Sequence, residues 1–285
     1  MRTSCILTDN TAQFPQPVYP GRPLVRLMPL DIVITNQTYV NGGDLKVSSF
    51  PSRLNDNFMP HLQNRSTEEI HNEILTLEKT CDQILILIHS SLLSPTFDAV
   101  KTALQPFVGH TNIALIDSQA IGPGLGLLTQ VAADLAEKGA SLNDIELALR
   151  VQIPHLYSIF CTPNCTYLAN SGYLDQAQAK VSEMLGLYGV FTLEEGKLNP
   201  VEKVKNHRSV IEIFQEFMDE FEHVRSISLI QSNPPASAES RALRQYAEEL
   251  FGKTPFSEHV INPWMATLLG PGTLGMVIAE SVNLP

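Results

Sequence analysis

The residues able to do chemistry fall in three places. His89-Ser90-Ser91 follows the continuous apolar run Ile84–Ile88 and leads into Leu92-Leu93-Ser94-Pro95-Thr96-Phe97. Cys161 and Cys165 stand four apart with His155 nearby, and Gly270-Pro271-Gly272-Thr273-Leu274-Gly275 has the spacing G-x-G-x-x-G. The first suggests hydroxyls held toward an anion or an acyl group, the second a metal site, the third a phosphate cradle.

Two of these fail on their own terms. A dinucleotide site needs a strand–turn–helix unit and an acidic residue about 20 positions on, and the 285-residue chain ends ten residues after Gly275. Gly252-Lys253-Thr254 resembles the end of a P-loop, but Ala247 occupies the position of its first glycine. A structural zinc site needs four ligands, and no second cysteine pair accompanies Cys161 and Cys165. No metal and no cofactor are expected. A G-x-S-x-G nucleophile elbow is also missing.

The serine pair survives. In an open α/β sheet, ligands bind beyond the carboxyl ends of the strands, where hydroxyls and free helix N–H groups can face an anion. The simpler alternative is that Ser90 or Ser91 caps a helix running into Ala99-Val100. An enzyme is the rival function, with His89 activating a serine. Neighbouring strand residues point to opposite faces, so His89 is badly placed for Ser90, and His61 or His259 would have to serve as base. A non-catalytic protein is the expectation.

The elements that must position these residues alternate in the first half. Ser4–Thr8, Ile84–Ile88 and Asn112–Ile116 read as strands, the second apolar throughout and the third apolar after Asn112, as strands buried on both faces are. Ser66-Thr67-Glu68-Glu69 reads as a capping box opening a helix, helices follow Gly122 and Ser141, and Gly139 suits a C-cap. That rhythm predicts a three-layer α/β/α domain with a mainly parallel sheet over residues 1–150. From 151 to 285 hairpins and helices mix: Val190–Leu193 and Leu198–Val201 flank the turn Glu194-Glu195-Gly196-Lys197, with helices over Ser209–Glu222 and Ser237–Phe251. An α+β domain with a mixed or antiparallel sheet is predicted there.

Composition sets the limits. Hydrophobic residues make up 44% and charged residues 17%, which is globular rather than disordered. A net charge of −11 with no basic run argues against nucleic acid and against an anionic membrane surface. Four cysteines are too few for a disulfide scaffold, no apolar run is long enough to span a membrane, and the N-terminus has no signal-peptide core. A cytoplasmic protein is expected.

At these residues the chain resembles the DegV family, over nearly its full length. Thr8-Asp9-Asn10-Thr11-Ala12 is similar to the family's T-D-S-S-A, and Met28-Pro29-Leu30 with Tyr39-Val40-Asn41-Gly42 to its P-L…Y-x-D-G. His89–Phe97 resembles I-S-S-x-L-S-G-T-Y, Ile116-Asp117-Ser118 with Gly124-Leu125-Gly126 resembles I-D-S…G-x-G, and Gly270-Pro271-Gly272 the terminal H-x-G-P-G. The resemblance implies a bacterial carrier protein that holds a fatty acid in an acyl tunnel closed by the second domain. Hydroxyls and basic groups hold the head, and some members present the acid to a fatty acid kinase. Burying about 14 methylenes at about 0.8 kcal/mol each is a gain on the order of 10 kcal/mol before the costs of immobilisation.

The implied ligand-binding set is Ser90, Ser91, Leu62, Gln63, Tyr173, Lys205, Leu268 and Gly270, and several of these depart from the family. Leu62-Gln63-Asn64-Arg65-Ser66 replaces T-S-Q-P-S, Tyr173 replaces the arginine of G-G-R-I, Leu268 the histidine of H-x-G-P-G, and Lys205 the arginine of K-V-R. A buried carboxylate needs charge or several donors. These losses favour a fatty alcohol, ester or terpenoid over a free acid, and count against a kinase partner.

Overall fold

Continuous apolar runs place the first sheet. In the computed structural model, which describes residues 3–110 and 112–282, the strands Val25–Met28, Ser4–Asp9, Gln83–Ile88 and Ile113–Asp117 lie side by side in that order. All three pairings are parallel. Every residue of Ser4–Asp9 and Gln83–Ile88 is buried, because parallel strands carry helices on their faces. The helices Thr67–Glu78 and Thr96–Ala103 form one packed pair, and Pro123–Glu137 and Leu142–Gln152 another; both pairs touch the central strand.

Local signals hold these elements. Ser66 and Glu69 form the capping box, each side chain bonding the other's backbone N–H, and Ser141 and Asp144 repeat it one helix pair later. Gly139 follows the C-cap Lys138 with φ 84°. At Gly126 a Cβ would sit 1.9 Å from the carbonyl oxygen of Gln13, so only glycine lets this helix reach the loop after the first strand.

The chain divides into two compact units. One is built from residues up to Asp31 and from Gln63–His155, the other from Ile32–Leu62 and Leu156–Ser281. The division expected at residue 150 thus falls five residues later, and a 32–62 segment expected in the first domain belongs to the second unit. The reason is local. Val25–Met28 pairs with Ser4–Asp9, whereas Asp31–Ile34 folds back on Gln37–Tyr39 through Thr35, whose φ is 54°. Asp31–Ile34 then sits between Gln37–Tyr39 and Pro60–Gln63 in a small three-stranded sheet.

The second unit is built on six strands in the order Lys197–Val204, Tyr188–Glu194, Leu156–Thr162, Leu274–Glu280, Val224–Gln231, Phe256–Val260. Four neighbouring pairs are antiparallel and the last is parallel, a mixed sheet. Helices His207–Asp219 and Ser237–Phe251 bring Val210, Phe214, Phe217, Met218 and Leu243 onto Ile159, Val190, Leu229, Met276 and Ile278. Phe214 is fully buried, and its truncation to alanine costs about 3–5 kcal/mol. Leu274–Glu280 follows a helix and the Gly270–Gly272 loop, the reverse of a dinucleotide-binding turn.

The four cysteines divide into a bonded pair and a free pair. Cys5 and Cys81, separated by 76 residues, form a disulfide with Cα atoms 5.9 Å apart. Cys161 and Cys165 are free and buried. Burial, with Cys165 beside it, pushes the Cys161 thiol up to about 12, so it is an inert core thiol. Among the described residues no cluster of His, Cys, Asp and Glu could hold a metal, and no helix is long and apolar enough to cross a membrane.

Candidate functional site

In the first unit, the loop after Gln83–Ile88 closes its polar groups on one another. Parallel register sets Thr8 opposite Leu87, which carries Asp9 alongside His89. Asp9 Oδ2 accepts both the backbone N–H of His89 and the ring Nδ1–H, each at 2.8 Å. Its other oxygen accepts the Thr11 N–H at 2.9 Å and hydroxyl at 2.6 Å. Burial alone would raise the Asp9 carboxyl, but His89 and these donors hold it below the usual range. His89 Nε2 lies 2.6 Å from Ser94 Oγ, Ser94 Oγ lies 2.7 Å from Thr96 Oγ1, and Thr96 donates to Asn64 Oδ1 at 2.7 Å. Asp9 and His89 are completely buried.

The serine pair has a different place from the one its spacing suggested. Ser90 is fully buried; its N–H donates to the Ala120 carbonyl and its hydroxyl accepts the Leu92 N–H at 3.2 Å. Ser91 is half-buried, and its N–H is shared between both oxygens of Asp117 at 3.3 Å. Neither caps the following helix, which starts at Thr96 behind Pro95 and has no side-chain cap. As strand geometry required, His89 does not reach Ser90. It reaches Ser94, a partner that sequence reasoning missed although the serine lies only five residues on.

In the second unit, loops at one end of the six-stranded sheet enclose a cavity of about 820 Å³, open on one side. Its apolar wall includes Val47, Phe50, Pro163, Tyr167, Val210, Pro234, Pro235 and Leu274. Gly270, Pro271 and Gly272 form part of the lining, and a Cβ on Gly270 (φ 93°) would meet the Tyr167 ring at 3.0 Å. The Tyr167 hydroxyl is spent on the Pro51 carbonyl at 2.7 Å. The ionisable groups on the wall form a chain, with His207 Nδ1 paired to a Glu239 carboxylate oxygen and His207 Nε2 lying 3.1 Å from the Tyr188 hydroxyl. Burial raises the Tyr188 phenol, and Cys161 and Glu239 add to the shift.

Of the residues expected to bind ligand, Gly270 alone is in this lining. Leu268 is buried in the helix Pro263–Leu269, and its carbonyl accepts the Ser171 hydroxyl at 3.2 Å. That bond ties the Tyr173 loop to the segment leading into Gly270. Tyr173 is half-buried, with its N–H on the Leu168 carbonyl, and burial raises its phenol. Lys205 is exposed just after Lys197–Val204, Leu62 is half-buried in Pro60–Gln63, and Gln63 is exposed at its end. Ser90, Ser91 and Gln63 belong to the first unit; Leu62, Tyr173, Lys205, Leu268 and Gly270 belong to the second.

Fold and cavity together define a two-unit α/β protein with an apolar pocket in its mixed-sheet unit. The family model described as "Uncharacterised protein, DegV family" matches residues 4–281, and the chain belongs to the DegV family. It is 27% identical over 218 residues to a DegV domain-containing protein of Caldanaerobacter subterraneus, covering 76% of this chain and 77% of the relative. It is 25% identical over 285 residues to one of Streptomyces coelicolor, covering 98% and 99%. Among solved structures, a fatty-acid-binding DegV family protein of Thermus thermophilus matches with a TM-score of 0.82 at 24% identity, over 99% of this chain and 100% of that one. A fatty acid binding DegV family protein of Streptococcus agalactiae matches with 0.85 at 20%, over 99% and 100%. The Streptococcus pneumoniae fatty acid kinase B3 protein loaded with linoleic acid matches with 0.81 at 17%, over 98% and 100%. At these identities the likeness establishes the fold.

Proposed function

We propose that this chain binds and carries a long-chain fatty acid or a similar apolar lipid, and that carriage requires no bond chemistry. The observation that carries the reading is the cavity of the second unit. At about 820 Å³ it lies in the 300–1,000 Å³ range of small-molecule pockets, which are mostly apolar with a few placed polar groups. Family neighbours of the same fold whose names record fatty acid binding support the choice of ligand class.

A second reading concerns the head group. His207 and Glu239 on the wall are paired with each other, so the positive partner a buried carboxylate calls for is already engaged. A fatty alcohol, ester or terpenoid needs no such partner, and this agrees with leucine at position 268 and tyrosine at 173. A fatty acid kinase partner is not part of the reading for the same reason. We place the carrier in the cytoplasm. A free-thiol count on protein trapped rapidly from cells tests that placement through Cys5 and Cys81, since cytosolic thiols are held reduced.

The test is a comparison of native and denaturing mass spectra of protein purified gently from a bacterial host, with identification of whatever is released. One apolar lipid per chain is the expected result. Free fatty acid as the retained molecule would remove the neutral-head reading and keep the carrier. No lipid from any extract, including terpenoid extracts, would remove both.

A further inference from the structure

We propose that the cavity of the second unit selects a long-chain alcohol, through a hydrogen bond from the ligand hydroxyl to the unfilled carboxylate oxygen of Glu239. This rests on the carrier reading and deepens it, because that reading leaves alcohol, ester and terpenoid equivalent. The cavity is open on one side and apolar over most of its wall. Its ionisable groups gather at one edge. Glu239 stands in the first turn of Ser237–Phe251, His207 opens His207–Asp219, and Tyr188 opens Tyr188–Glu194. The His207 side chain is 67% exposed, whereas Glu239 is 9% exposed. The polar edge therefore lies where the cavity meets solvent, with the carboxylate on its inner side.

That carboxylate is only half used. His207 Nδ1 pairs with one oxygen, and among the described residues no other donor reaches the group. A carboxylate has several acceptor sites, and a buried one is costly to leave short of donors. The deficit holds for either charge state of the imidazole, because Nδ1 carries a hydrogen in both. Only the direction of the bond between Nε2 and the Tyr188 hydroxyl, 3.1 Å apart, changes with the charge. With the cavity filled and water excluded, the missing donor must come from the occupant.

Three ligand ends of equal chain length then behave differently. A free carboxylate brings a second negative charge toward Glu239 and carries no donor. An ester is neutral but only accepts. A hydroxyl gives its hydrogen to Glu239 and still has lone pairs to fill. The Ser237 hydroxyl and Asn233 amide can fill them: both residues line the cavity, and neither side chain is hydrogen-bonded among the described residues. The alkyl chain would lie along Val47, Phe50, Val210 and Leu274.

The experiment offers the full chain, after its own lipid has been exchanged away, an equimolar mixture of 1-hexadecanol, methyl palmitate and palmitate. The retained lipids are extracted and quantified by mass spectrometry. Hexadecanol should exceed each competitor at least about 10-fold, the scale of one hydrogen bond to a charged group. Glu239→Gln removes the charge and releases His207, so the ratio of palmitate to hexadecanol should rise at least about 10-fold. This is a gain of binding, which a damaged fold does not produce; should the variant not fold, the wild-type ratios decide alone. Methyl palmitate or palmitate retained as well as hexadecanol by wild type overturns the proposal and leaves the carrier reading standing. An unchanged ratio in folded Glu239→Gln protein overturns the role of Glu239. Retention of none of the three overturns both readings.

Discussion

The two units handle polar groups in opposite ways. In the first, Asp9, His89, Ser94, Thr96 and Asn64 are closed into one chain of hydrogen bonds at the carboxyl ends of two parallel strands. In the second, an apolar cavity lies open, and its few ionisable groups are paired along the wall. A buried hydrogen-bonded network in low dielectric gains from being completely satisfied and loses heavily when one member is removed. An apolar pocket is defined chiefly by its shape, so it fails when filled. A buried polar network and an apolar cavity therefore make different demands on the same chain.

The largest expected effect breaks the first half of that contrast. Asp9→Asn leaves buried donors facing an amide and should cost about 3–5 kcal/mol of unfolding free energy, read from urea midpoints. The sign of the pH dependence follows from the lowered Asp9 carboxyl. A depressed native value contributes stability that is fully present above the ordinary value of 3.8 and is lost as pH falls through the native one. Unfolding free energy in wild type should thus fall below about pH 4, and this part of the fall should vanish in Asp9→Asn. An unchanged acid limb would show that the network is not what the carboxylate stabilises.

Next in size, Cys5→Ser with Cys81→Ser removes a link closing a 76-residue separation and should cost roughly 2–4 kcal/mol. The loss should appear in melts of the first unit while lipid retention by the second is kept. Ala236→Trp sharpens the other side: it fills the cavity at the start of Ser237–Phe251, and should cut lipid retention more than about 10-fold with a thermal midpoint close to wild type. The smallest effect is Ser66→Ala, which removes the cap on Thr67–Glu78 and should cost about 1 kcal/mol, with lipid retention unaltered.

What was legible in the sequence follows the same divide. The continuous run Ile84–Ile88, the capping box at Ser66 and Glu69, and the hairpin turn at Glu195 and Gly196 are local signals, and each formed where its residues stand. Ser237–Phe251 formed over the residues its pattern indicated. The Asp9–His89 network was not legible, because Asp9 meets His89 across 80 residues through strand register, and register has no signature in either strand alone. Ser94 had a visible cue in its nearness to His89, but the reading set His89 only against the adjacent serines and, with strand alternation against Ser90, turned to His61 or His259. The cavity was hidden for another reason. Its walls come from separate loops around residues 47–52, 161–167, 232–239 and 270–274, and loop paths are set by packing rather than by periodicity. The Cys5–Cys81 link had no local signature either, since its two ends lie 76 residues apart.

The central claim is that the second unit's cavity holds one apolar lipid. The most direct measurement purifies wild type and Ala236→Trp side by side and quantifies organic-extractable lipid per chain by mass spectrometry, with circular dichroism confirming that both are folded. The account predicts about one lipid per wild-type chain and a more than tenfold loss in the filled variant. Equal lipid content in the two proteins would contradict it and move the ligand out of this cavity.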